Sequence, residues 1–164
     1  MIARALPKKT GPRRCRLLYI EDHAESIALV EGLLARRKDL ALLHAADTNL
    51  GIERSRSERP DVILINIDLP GPGSAASLVR LLRADPATEA APILALCGNL
   101  APEAIVRGLD AGFFQVLTKP LRAEPFMEAL AFALEFAAAE RSEENPLLRR
   151  PWRKGLGDGQ IHPL

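Results

Sequence analysis

Aromatic residues and cysteine are scarce in this sequence. Aromatics make up 4% of 164 residues, with one tryptophan and one tyrosine, and there are two cysteines. Cys15 and Cys97 form no metal-binding or redox spacing, which excludes a disulfide framework and a cysteine-rich metal module. Each is expected to be a small buried or half-buried side chain in a reducing compartment. No apolar run reaches the roughly 18 residues that span a bilayer. The N-terminus is basic, but Pro7 and Thr10-Gly11-Pro12 stand where a signal peptide needs an apolar stretch, so a cytoplasmic location is expected. Acid is missing from residues 1–16, whose six bases are Arg4, Lys8, Lys9, Arg13, Arg14 and Arg16. No aromatics interleave with these bases and no nucleic-acid reading module follows, so the expectation is a solvated basic end.

The composition that remains, 48% hydrophobic and 26% charged, is that of an ordinary globular protein of one domain. With +6 on residues 1–16 and +2 on residues 141–164 of a chain whose net charge is +1, the body over 17–140 carries about −7. Three parts are expected: a basic N-terminal extension over 1–15, a domain over 16–141, and a loose tail over 142–164 holding three prolines and three glycines.

Short apolar runs at 16–20, 40–45, 61–65, 92–96 and 113–118 predict buried parallel strands. Helical patterns lie between and after them, at 24–38, 48–58, 74–84, 102–110 and 123–141. Asp47 or Thr48 is placed to cap the second helix and Ser74 the third, Pro60 ends the second, and Gly112 follows the fourth where a left-handed residue is wanted. Alternating βα units with right-handed crossovers predict an α/β fold, a parallel sheet covered on both faces.

In such a sheet functional residues collect beyond the carboxyl ends of the strands. Those ends hold Glu21-Asp22, Asn66 with Asp68, Cys97, and Lys119-Pro120. Carboxylates beside one lysine suit a divalent cation and a phosphoryl group. The segments Leu18-Tyr19-Ile20-Glu21-Asp22, Pro60-Asp61-Val62-Ile63-Leu64-Ile65-Asn66-Ile67-Asp68-Leu69-Pro70-Gly71 and Leu117-Thr118-Lys119-Pro120 resemble the receiver domain of response regulators and of hybrid histidine kinases, the latter most closely. Arg83-Ala84-Asp85-Pro86-Ala87-Thr88 and Ala91-Pro92-Ile93-Leu94-Ala95-Leu96 are similar to the third helix and fourth strand of that family. The resemblance covers about residues 16–140. It implies a flavodoxin-like doubly wound sheet of five strands in the order 2-1-3-4-5 with five helices, and a role in bacterial two-component signalling.

Carried over by position, the resemblance makes Glu21 and Asp22 the acidic pair that binds Mg²⁺ and Lys119 the residue that contacts the phosphoryl group. Three positions depart from the family pattern. Asn66 stands where the family has its phospho-accepting aspartate, Cys97 where it has a hydroxyl residue, and Val116 where it has a switch aromatic. A carboxamide is a poor nucleophile, a thiol is a weak hydrogen-bond donor, and valine has no ring to swing. The expectation is a non-catalytic pseudo-receiver, not phosphorylated at the usual position, that acts by binding a histidine kinase or another signalling protein.

Other readings stay open at this point. Asp68 is an alternative acceptor, although two residues of extended chain displace it by roughly 6–7 Å. Glu21, Asp22, the Asn66 amide oxygen and Asp68 together would make a Mg²⁺ site. Lys119 has a purely structural alternative, as the ion-pair partner of Asp22 or Asp68. Cys97 is a redox sensor or simply fills the strand end. Gly71-Pro72-Gly73-Ser74-Ala75-Ala76 formally matches a dinucleotide fingerprint, which gives a flavodoxin-like nucleotide- or flavin-binding alternative; turn chemistry explains it better. His23, His44 and His162 lack the spacing of metal ligands.

On the last helix, Phe126, Leu130, Ala133, Leu134 and Ala137 share a core-facing stripe at 100° per residue. Phe132 falls nearly opposite it and Phe136 on its flank. The pair is expected to form an outward surface, either for a partner or a second copy in a homodimer, or for the chain's own tail.

Overall fold

Runs of leucine, isoleucine and valine with hardly a polar member form strands that must be covered on both faces. In the computed structural model, which describes residues 13–69, 75–98 and 102–141, five such strands alternate with five helices. They are β1 (Cys15–Ile20), α1 (Ala24–Leu34), β2 (Leu40–Ala45), α2 (Thr48–Glu58), β3 (Val62–Asn66), α3 (Ala75–Ala84), β4 (Ile93–Cys97), α4 (Pro102–Ala111), β5 (Gln115–Thr118) and α5 (Ala123–Arg141). Every pairing is parallel, and the order across the sheet is β2-β1-β3-β4-β5, as the family resemblance implies.

Side-chain alternation divides the core in two. Leu17, Tyr19, Val62, Leu64, Leu94 and Leu96 face Val30 and Leu34 of α1 and Phe126, Leu130 and Ala133 of α5. Their neighbours Leu18, Ile20, Ile63, Ile65, Ile93 and Ala95 face Leu78, Val79 and Leu82 of α3. The period of two in each strand thus feeds two helical layers from one sheet.

Boundaries differ slightly from the sequence reading, each for a local reason. α1 stops at Leu34 instead of 38 because Arg37 N–H turns back to Leu34 O (2.9 Å), reversing the chain before β2. β5 starts at Gln115, since Phe113 N–H closes onto Gly108 O (3.2 Å) and so belongs to the end of α4. Asp47, not Thr48, caps α2, accepting Leu50 N–H at 2.7 Å. Gly112 has φ +107, the left-handed position foreseen after α4. Ser74 and the Gly71–Ser74 portion of the fingerprint-like segment lie outside the described residues, as do 1–12 and the tail 142–164 with His162.

Register aligns the carboxyl ends. Ile20 pairs with Ile65, Asn66 with Leu96 and Cys97 with Thr118, so Glu21, Asn66, Cys97 and Lys119 share one rim of the sheet.

Candidate functional site

The acidic pair expected at the end of β1 is split. Glu21 is fully buried, whereas Asp22 is exposed. Glu21 Oε1 accepts from Asp22 N–H (3.0 Å), His23 N–H (3.1 Å) and Asn66 Nδ2 (3.1 Å), and Oε2 accepts from the Tyr19 hydroxyl (3.2 Å). Tyr19 is missing from the sequence reading of the site. Its position two residues before Glu21 is the signal, because a strand puts residues i and i+2 on one face. His44 Nε2 lies 2.7 Å from Glu21 O; a carbonyl only accepts, so this nitrogen carries the proton.

Burial pushes the Glu21 carboxyl up, but the hydrogen bonds from Asn66, His23, Asp22 and Tyr19 outweigh it and hold the group below its ordinary value of 4.5. Burial, helped by the neighbouring Glu21 charge and hydrogen bond, raises the Tyr19 hydroxyl well above its usual range. A carboxyl depressed in the folded state contributes stability above its unfolded pKa and loses it as pH falls. Urea midpoints are therefore expected to drop as pH goes below about 4.5. Glu21→Gln, which cannot titrate, should show a shallower acid slope in the same measurement.

Asn66 ends β3 and is almost wholly buried. Its Oδ1 accepts from Lys119 Nζ (2.6 Å) and Asp68 N–H (3.0 Å), while its Nδ2 donates to Glu21. The network fixes the amide orientation: an obligate donor sits on one side and a carboxylate on the other. Lys119 reaches Asp68 Oδ2 as well (3.2 Å), so its structural pairing is with Asp68 and Asn66. Asp68 Oδ2 also accepts from Gly98 N–H at 3.0 Å, and a Cβ built at Gly98 would come within 3.2 Å of that oxygen. Nothing in the sequence pattern marks Gly98, because it contributes only its backbone.

Among the described residues no group of three or more histidine, cysteine, aspartate or glutamate side chains is placed to hold a metal ion. Glu21 is satisfied by four protein donors, and Asp68 is held by Lys119 and Gly98. Asp22 stands exposed beside this network, and the Lys119 ammonium supplies a positive charge to it.

Cys97 is buried at the end of β4 and Cys15 is half-buried at the start of β1, at opposite ends of the sheet, and no disulfide joins them. Val116 packs against the α3-side core. Beside Lys119, a cleft of ≈ 350 Å³ opens between α1 and the start of α5, lined by Tyr19, His23, Ser26, Leu29 and Leu121. On α5, Phe132 is 55% exposed as expected, but Phe136 is buried at 4%. The outward placement of Phe136 is corrected: Phe114, just before β5, brings its ring to 5.2 Å from Phe136 and 5.6 Å from Phe132. The buried arc of α5 is centred nearer Ala129 and Ala133 than the stripe predicts.

The model of the response regulator receiver domain matches residues 17–131. The chain belongs to this family. Over 127 residues the receiver domain is 31% identical to the sensor histidine kinase AruS of Pseudomonas aeruginosa, covering 77% of this chain and 13% of AruS. It spans less than half the length of the curated relatives it matches. Among solved structures, the chemotaxis protein CheY4 of Vibrio cholerae superposes with a TM-score of 0.67 at 23% identity, covering 74% of this chain and 99% of CheY4. The receiver domain of sensor histidine kinase PA1611 from Pseudomonas aeruginosa, with magnesium coordinated in its active site cleft, gives 0.66 at 24% identity, covering 74% and 98%. These two likenesses establish the fold. No helix among the described residues is long and apolar enough to cross a membrane.

Proposed function

We propose that this receiver domain works as a protein–protein interaction module in two-component signalling, without an acyl-phosphate cycle and without catalysis. The supporting observation is that one carboxylate oxygen of Asp68 bridges Lys119 Nζ and Gly98 N–H. Lys119 matches the family's phosphoryl-contacting lysine, and Gly98 follows the position of its hydroxyl switch residue. An anionic oxygen of the chain's own thus occupies the place where a phosphoryl oxygen would be recognised. Asn66, at the acceptor position, is tied between Glu21 and Lys119 and presents no carboxylate for attack.

On this reading Asp68 is the resident anion instead of an alternative acceptor. The balance between surfaces, which receiver domains usually shift by phosphorylation, is set by internal contacts and by whatever partner prefers one state. The partner class is a histidine kinase or another signalling protein, met through the cleft beside Lys119 or through the α4–β5–α5 side.

The experiment is a titration with inorganic phosphate followed by the amide resonance of Gly98. Wild type is expected to show no saturable shift. Asp68→Ala, which removes the resident anion and leaves Lys119 in place, is expected to show one, along with faster hydrogen exchange at Gly98. Equal responses in the two proteins would overturn the assignment.

A further inference from the structure

An apolar surface that no described residue covers lies at the opposite rim from the site. A groove of ≈ 290 Å³ lies among Pro92, Leu109, Gly112, Phe113, Phe114 and Phe132, with Arg83 also in its lining and its guanidinium donating to the carbonyls of Glu89, Ala91 and Gly112. Leu109 is 48% exposed and Phe132 55%. Acids border it: Asp110 next to Leu109 on α4, and Glu128 and Glu135, four residues before and three after Phe132 on the same face of α5, all exposed. An occupant should therefore be apolar with basic flanks.

The chain itself continues beyond α5 with such a segment. Residues 147–154 read Leu147-Leu148-Arg149-Arg150-Pro151-Trp152-Arg153-Lys154: three large apolar side chains among four bases. The exit point suits it. Arg141, the last residue of α5, pairs with Asp61 immediately before β3, so the chain leaves at the amino-terminal rim of the sheet. Pro92 and Phe114 stand just before β4 and β5 on that same rim. Two strand spacings, roughly 10 Å, separate the start of β3 from that of β5. A cleft of ≈ 190 Å³, whose lining includes Arg59, Asp61, Ala90, Ala91, Ala137 and Arg141, joins the end of α5 to the loop before β4. The five intervening residues, 142–146, reach roughly 16 Å when extended, which is enough.

We propose that residues 147–154 dock on this groove within the same molecule. Leu147 and Leu148 fill it between Leu109, Phe114 and Phe132, Trp152 covers its edge, and the bases meet Asp110, Glu128 and Glu135. Tethering by five residues gives the contact a high effective concentration, so modest apolar burial suffices. The tail then screens Phe132, and a partner that uses the α4–β5–α5 side must displace it. This inference is independent of what happens at Asn66 and Asp68.

Trp152 is the only tryptophan, so the fluorescence of the full chain reports on the contact directly. Emission is expected to be blue-shifted relative to the unfolded protein and unchanged on dilution. Phe132→Glu and Leu148→Glu should each move it to the red with circular dichroism unchanged. Leu148→Glu changes the proposed segment and leaves every residue of the domain core in place. Emission at the exposed position in wild type would overturn the proposal, as would a blue shift that survives both substitutions. A blue shift lost on dilution would overturn it too, assigning the groove to a second copy.

Discussion

Replacing Arg83 with methionine is expected to cost about 3–4 kcal/mol of stability, a large part of the roughly 5–15 kcal/mol that holds a domain together. Arg83 lies on α3, only 6% exposed. Its guanidinium donates to the carbonyls of Glu89 and Gly112 (both 2.9 Å) and of Ala91. One side chain thereby ties α3 to the loop before β4 and to the left-handed turn after α4. Burial pulls its pKa down to about 10, and it remains charged at neutral pH. Methionine fills similar space but leaves three carbonyls without that donor, each worth about 1 kcal/mol or more where water enters poorly. Calorimetry should show melting lowered by about 10 °C. Arg83→Lys keeps the charge but not the planar fork, and should fall between the two. A methionine variant that melts with wild type would show the three bonds to be energetically idle.

The second large effect is at Asn66. Asn66→Asp replaces an amide that donates to Glu21 with an oxygen that cannot, placing two carboxylates about 3.1 Å apart. Lys119, at 2.6 Å from the other oxygen, offsets part of this. The net loss at neutral pH is expected to be about 2 kcal/mol. The sign with pH follows from like charges: the pair's higher pKa is raised in the folded state. The deficit relative to wild type is therefore small in acid, where the pair holds a proton, and grows as pH rises through that pKa. Urea unfolding at several pH values measures it. A variant as stable as wild type at pH 7 would mean that Asn66 does not relieve repulsion in the pocket.

Much of this was legible before any coordinates. Fully apolar stretches such as Val62–Ile65 announce strands of a covered sheet, and the Asn66 substitution stands out against the ordered motifs around it. Pairings between loops were not legible. The Asp68 contact with Gly98 joins the ends of β3 and β4 through a backbone N–H, for which sequence carries no residue-type signal. The split of Glu21 from Asp22 follows strand alternation, but the resemblance treats them as a pair. Phe136 was misplaced for a comparable reason: a helical wheel knows its own stripe and not the Phe114 ring that arrives from another element.

The most direct test of the central claim is the intact mass of wild type after incubation with Mg²⁺ and a small phosphoryl donor, with Asn66→Asp measured in parallel. The account predicts no added phosphoryl mass on wild type and an adduct on the variant, whose restored carboxylate lies beside Lys119. A phosphoryl adduct on wild type, mapped to Asp68 or to any other residue of the pocket, would contradict it and make this chain a working receiver with an unusual acceptor.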